Sequence, residues 1–526
     1  MAKPESVAQS ATTDEKSLDE KGSDHVAVLE AIAEDHEAEV GYDLYKQARD
    51  GSLEWTPKEE RRVLRRIDFF ILPIFCITQG LAFLDKTALN IANLFSIKAD
   101  LHVTGSQYSW FASAFYIGYL VFAEPATWLL QRYPTGKVMG SFVFIWGIVV
   151  MSTAACRSFG GALVNRIILG ALEACITPGL GLMTPFWWRL NEQPLRHLSW
   201  YCFNGVGGII GDLLAYGFGH VTHSAVPKWA LIFLTLGAFT TVWGAFVFLF
   251  VPDAPPSAKF LDKRQKLIAV QRVAENRTGI KNHKFKHYQL IQALKDPKTW
   301  ILFLASISAQ IPNGVVSNFS TIIIKGLGFG LYETILLDIP SSLFQIASLV
   351  ISGYIAGRFK NMRCIMMFTG NAICIIAAAV LTYGPQEQKW GRLVAFWFTS
   401  FQSVGFSLSL VMVSANVGGF TKRQVTAVIV FIGYCAGNIA GPHVLIDSEA
   451  DTGYPTATKA MMAGYAAKCG LHVILGLYMF FENRRRDTLA EAEGYALPEE
   501  ERSRLAVDAG MNDVTEHDNK WFRYVL

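Results

Sequence analysis

The chain has 526 residues, 51% hydrophobic, 13% aromatic and only 17% charged, with a net charge of +3 and a positive mean hydropathy. Soluble chains carry roughly 25% charged residues, and here the charges crowd the two ends and one central stretch. That excludes an ordinary soluble domain and indicates a polytopic membrane protein; without a basic patch interleaved with exposed aromatics, nucleic-acid binding has no support.

In chain order, residues 1–60 are acidic and polar, lack the apolar core of a signal peptide, and read as a cytosolic tail with helical tendency at 42–48. Twelve apolar runs long enough to span a bilayer follow: 67–94, 106–130, 138–156, 161–187, 199–220, 229–251, 299–320, 332–356, 362–382, 392–414, 425–445 and 461–482. A polar, basic stretch at 252–298 divides them six and six. The expected domains are therefore a bundle at 61–251, a cytosolic loop at 252–298, a second bundle at 299–482 and a cytosolic tail at 483–526. An all-α membrane protein with twelve transmembrane helices in two six-helix bundles has the outline of the major facilitator fold.

Lysine and arginine placement sets the expected orientation. Arg61, Arg62, Arg65 and Arg66 precede the first span, and the loops on the same side carry Arg132 and Lys137, Arg189 and Arg196, Arg358, Lys360 and Arg363, and Lys422 and Arg423. Arg484 to Arg486 follow the last span, whereas an opposite loop holds Asp447, Glu449 and Asp451. Both termini should thus be cytosolic, which sets aside the glycosylation triplet at Asn276. The eight cysteines fall mostly in apolar runs without CxxC spacing and read as small hydrophobes, not zinc ligands or a disulfide framework.

The first span contains Asp85 and Lys86 side by side. Each ionised group at a bilayer centre costs at least about 2.5–3.5 kcal/mol, and neighbours on a helix point about 100° apart, so the two need different partners. Lys86 shares a face with Gln79, Asn90 and Asn93, a polar stripe expected to line water; the alternative is a lysine that snorkels to the outer interface. The fourth span carries a second stripe, Arg166, Gly170, Glu173 and Thr177. Arg166 is the expected mate of Asp85. Such a pair either releases on protonation, as a proton-coupled carrier requires, or statically pins the first span to the fourth.

Glu124, beside Pro125, reads as a packing or gating residue, and Asp212 lies among glycines suited to close helix approach. His220 and His443 sit near helix ends. In the second half, Pro312 and Gly314 are expected to break the seventh span and expose Asn313 and Asn318 to a cavity. Gln345, Gln402, Asn416, Tyr434 and Asn438 read as helix-packing residues. GxSxG, HExxH and Walker motifs are missing, so neither an enzyme nor a self-contained ATP-driven pump is indicated.

The run FLDKTALN, with QYSWFASAFYIGYL (107–120), EPATWLLQRYPTGK (124–137), NRIILGALEACITPG (165–179), NGVGGIIGDLLAYGFGH (204–220), IPNGVVSNFSTIIIKGLGF (311–329) and FTKRQVTAVIVFIGYCAGNIAGP (420–442), resembles the fungal allantoate permease family, the anion:cation symporter branch of the major facilitator superfamily. Even the ending DVTEHDNKWFRYVL is similar. The resemblance implies a secondary transporter in the plasma membrane that takes up a small organic anion such as allantoate or a vitamin carboxylate, with a proton as coupling ion; a monomer with no cofactor or metal is the accompanying expectation. It maps substrate binding onto Lys86, to which the polar stripe of the first span adds Gln79 and Asn90 and the seventh span Asn313 and Asn318 as cavity residues. Proton coupling falls on Asp85 and Arg166, joined by Glu173. Asp212 departs from the branch and is a candidate for altered substrate choice; the loop WLLQRYPTGK keeps Arg132, Gly136 and Lys137 but lacks the superfamily's usual aspartate. Rival readings are an exporter of a fungal metabolite on the same fold and a non-transporting nutrient receptor.

Overall fold

The computed structural model describes residues 55–189, 192–274, 286–359, 361–494, 496–511 and 514–526; the helical tendency at 42–48 and the triplet at Asn276 lie outside them. Every apolar run becomes a helix. The first six runs are α1 (Pro57–Leu94), α2 (Gly105–Arg132), α3 (Thr135–Ser152), α4 (Phe159–Glu173) continued by α5 (Ile176–Trp187), α6 (Gln193–Gly219) and α7 (Lys228–Phe250). Two shorter helices, α8 (Lys263–Ala274) and α9 (His287–Lys295), occupy the central polar stretch. The second six are α10 (Pro297–Gly326), α11 (Leu331–Arg358), α12 (Arg363–Tyr383), α13 (Lys389–Phe398) continued by α14 (Gln402–Asn416), α15 (Phe420–Ala440) and α16 (Pro455–Ala492), with α17 (Glu499–Met511) beyond.

Ten of these segments are long and apolar enough to cross a membrane among the described residues. The other two, α2 and α6, are as long but diluted by polar and small residues such as Gln107, Glu124, Asn204 and Asp212. Local chemistry sets the ends. Thr104 caps α2, accepting from the Gln107 amide while the Gln107 side chain accepts from the Thr104 N–H at 3.0 Å. Asp296 caps α10 ahead of Pro297, a residue suited to a first helical turn. The break between α4 and α5 lies four residues before Pro178, whose missing N–H leaves the Ala174 carbonyl without its helical donor. The break expected at Pro312 does not occur. α10 runs through it, as other helices of this chain run through Pro73, Pro125 and Pro340, and Gly464 of α16 packs on Pro312, where a methyl group would lie 2.8 Å from the ring.

The described residues divide into two compact units, 55–71, 182–189, 192–193 and 252–274 forming one and the rest the other. In the first, the fully buried guanidinium of Arg272 is held between Glu60 at 3.2 Å and Glu192 at 2.6 Å, and Arg189 meets Glu60 at 2.6 Å. The two carboxylates offset the desolvation of this arginine, whose remaining terminal nitrogen is without a partner among the described residues. Phe70 stacks on Phe260, and Trp188 donates to Asp68 at 2.7 Å.

The second unit holds the candidate site and an ordered segment at Val514–Leu526. The ends of α10 and α15 present Lys298 and Lys422 to two buried carboxylates, Asp296 and Glu516. Asn416 and Asn483 each pair with the segment's backbone in both directions, at Val525 and Tyr524, and Arg486 donates to the carbonyls of Glu516, Asn519 and Phe522.

Candidate substrate and coupling site

α1 delivers Asp85 and Lys86 to different neighbours, as helical geometry requires. Asp85 is fully buried and accepts from the Trp146 indole of α3 at 3.1 Å, while its Oδ1 has no partner. Lys86 forms an ion pair with Glu173 on the last turn of α4. Its ammonium also lies 5.6 Å from the ring centre of Phe115 and 5.5 Å from that of Tyr119, both on α2. α2 and α4 meet there with no room to spare, since a methyl group at Gly170 would run into the Phe115 carbonyl and one at Gly118 into that of Ile167. This seam, and the helix break just past Glu173, place that carboxylate against Lys86.

The expected contact between Asp85 and Arg166 is not formed. Arg166 is buried, makes no hydrogen bond or ion pair among the described residues, and rests 5.3 Å from the Phe233 ring centre of α7. The fourth-span stripe therefore serves the first span through Glu173 and Lys86, leaving a carboxylate oxygen and a guanidinium nitrogen buried without partners. Glu173 Oε2 is also unpartnered. Of this set only Lys86 reaches open space, with 20% of its side chain exposed.

Around the lysine the structure assembles aromatics that hydrophobic patterning does not distinguish from core. Tyr116 and Tyr119 of α2 meet Tyr434 and Phe431 of α15 at 5.9 and 5.4 Å, and Phe406 of α14 packs on Tyr434 at 5.5 Å. A cation ringed by flat apolar faces suits an anionic group carried on a small organic body.

The other expected cavity residues are largely engaged. Gln79 donates to Asn204 at 3.0 Å, its Oε1 unpartnered. Asn90 donates to Ser320 at 2.7 Å and accepts from Thr321 at 2.8 Å, tying α1 to α10. Asn318 bonds back to the Gly314 carbonyl of its own helix. Asn313 pairs with Asn438 at 3.0 Å and accepts from Gln402 at 3.3 Å. Glu124 is exposed on α2, away from this set. Asp212 lies on α6 and is taken up below.

Contacts between first-half and second-half helices include several at the ends expected to face outward. Ser109 and Ser113 donate to the carbonyls of Pro442 and Ile439 at 2.9 and 2.8 Å, Lys98 pairs with Asp447 at 3.2 Å, and Tyr332 donates to the Gly219 carbonyl at 2.8 Å.

The family model for the major facilitator superfamily matches residues 75–442. The chain belongs to the major facilitator superfamily. Within this superfamily it is 33% identical to the allantoate permease of Saccharomyces cerevisiae, over 92% of this chain and 89% of that one, which places it in the allantoate permease family. A thiamine pathway transporter of the same yeast is 32% identical over 90% of this chain and 87% of its own. Among solved structures, a D-xylose-proton symporter superposes with a TM-score of 0.58 at 12% identity, covering 78% of this chain and 96% of that one, a likeness of fold alone. This major facilitator protein is accordingly a multi-pass integral membrane transporter, not an enzyme.

Proposed function

We propose that the protein is a permease that moves a small organic anion across the plasma membrane by alternating access, with a proton as the coupled cation and both termini in the cytosol. The observation that carries this reading is Lys86, the one member of a buried charge cluster that reaches open space, seated on aromatic faces. Its attraction for an anion is strengthened by low local dielectric, and Glu173 supplies the counter-charge between substrate visits. The allantoate permease relative supports a carboxylate cargo.

Uptake of labelled allantoate and a panel of vitamin carboxylates, in a yeast strain lacking its own allantoate permease, tests the reading. Saturable accumulation of at least one anion is expected, and accumulation of only neutral or cationic solutes would overturn it. Asp85 and Arg166 are the proposed coupling pair. Asp85→Asn keeps an acceptor for the Trp146 indole and removes only the ionisable group, so downhill exchange should persist while accumulation driven by an imposed pH gradient falls to the level of exchange. A pH-gradient dependence equal to wild type would remove Asp85 from the coupling role.

A further inference from the structure

α6 and α11 run antiparallel along one seam, and four contacts fix its register. Leu198 lies against Gly353, where an added methyl would be 3.0 Å from the leucine Cδ2. A methyl at Gly205 would lie 2.6 Å from Ile346 Cγ1, and one at Gly208 would lie 2.6 Å from the Ser342 hydroxyl. Toward the other end, Tyr332 donates to the Gly219 carbonyl. Between the last two contacts, one helical turn beyond Gly208 and one before Ser342, the register brings Asp212 face to face with Asp338.

Both carboxylates are more than nine-tenths buried. Asp338 accepts from Ser320 at 2.6 Å, and Ser320 in turn accepts from Asn90 of α1. Asp212 has no hydrogen bond or ion pair among the described residues. Two further buried hydroxyls on α11, Thr334 and Ser341, lie one turn to either side of Asp338, and that of Thr334 is without a partner among the described residues.

The seam supplies no cationic side chain to this pair. Lys86, one turn from Asn90 on α1, is committed to Glu173, and Lys228 donates to the Gly219 carbonyl. On α10, Ser320 faces the pair and Lys325 is exposed. At the seam's end His220 stacks between Tyr216 and Tyr332, at 4.6 and 4.2 Å, with Nδ1 on its own helix's Tyr216 carbonyl; Glu333 caps its own helix. Two facing carboxylates in an apolar seam, with hard oxygen donors around them, require a positive occupant.

The geometry points to a monovalent cation site, for H⁺ or Na⁺, between Asp212 and Asp338 on facing helices of the two halves. Occupancy would hold α6 and α11 together at this level, and loss of the cation would set the two carboxylates against each other and favour separation of the helices. The site stands apart from the Lys86 cluster and does not depend on which anion is carried.

The test uses purified full-length protein and no transported substrate. Thermal unfolding is followed at pH 5.5 and 8.5 in sodium chloride and in choline chloride, for wild type, Asp212→Asn and Asp338→Asn. A proton site predicts that the wild-type Tm drops by at least about 2 °C on going to pH 8.5 in either salt, relative to both variants. A sodium site predicts that the drop appears in choline and is reversed by sodium. Each variant, relieved of the repulsion, should lose the response and be at least as stable as wild type at pH 8.5. Identical pH and sodium responses in wild type and both variants would overturn the proposal, as would variants less stable than wild type at pH 8.5.

Discussion

Replacing Lys86 with methionine should reduce uptake of the anionic substrate at least about 30-fold, since truncating one partner of a buried, hydrogen-bonded charge pair costs about 2 kcal/mol or more. The same change removes the partner of Glu173, which is almost fully buried and whose second oxygen is already unpartnered. Breaking a buried ion pair from one side costs about 3–5 kcal/mol, so the single variant should also reach the membrane in smaller amounts. The double variant Lys86→Met, Glu173→Gln separates the two effects. A neutral amide has no unmatched charge, and surface expression should return to near the wild-type level. Uptake should stay lost, because methionine offers the anion nothing. Uptake that recovers together with expression would show that Lys86 serves only to neutralise Glu173. The measurement is labelled-anion uptake normalised to surface protein.

Most of the helical spans were legible because bilayer thickness demands long apolar runs, a demand that ten of them meet among the described residues. The polar faces were legible too, since α-helical periodicity fixes which side chains share a side of α1 or α4. What periodicity cannot fix is which residue of one stripe meets which residue of another. Arg166 and Glu173 lie two turns apart on one face, and the choice of Glu173 as the partner of α1 rests on the close α2–α4 seam at Gly118 and Gly170 and the break ahead of Pro178. Trp146, the donor to Asp85, carries no mark distinguishing it from any other core tryptophan. Asn90 and Asn318 illustrate the converse error, for a buried amide on a polar stripe is as readily spent on a neighbouring helix or its own backbone as on a cavity. Asp338 is a carboxylate within an apolar span, as Asp85 is, but what it faces appears only once the register with α6 is known. Pro312 shows that a proline within a membrane-length apolar run need not break the helix, as Pro125 and Pro340 also do not.

Glu516→Ala should be the most damaging single change outside the membrane. This carboxylate is fully buried and meets Lys298 at 2.8 Å as well as Lys422, both themselves buried. Without it, Asp296 alone faces two ammoniums, at 3.3 and 2.9 Å, and a positive charge is left unmatched. The expected cost is about 3–5 kcal/mol, read as a lowered Tm of the purified protein and reduced surface expression. Because Asn416, Asn483 and Arg486 anchor the rest of the segment independently, a variant lacking residues 514–526 should lose more than Glu516→Ala does. The pH dependence has a definite sign. Burial alone would raise the Asp296 carboxyl, but the His517 hydrogen bond and the charges of Lys298 and Lys422 outweigh it and hold the group well below the usual carboxylate range. A depressed carboxylate contributes stability that is fully present above its unfolded value, about 3.9, and is lost as pH falls through the lower folded one. The Glu516→Ala deficit should therefore be as large at pH 8 as at pH 6. A deficit that vanished over that interval would mean that the segment is held by its backbone anchors and not by the buried charges.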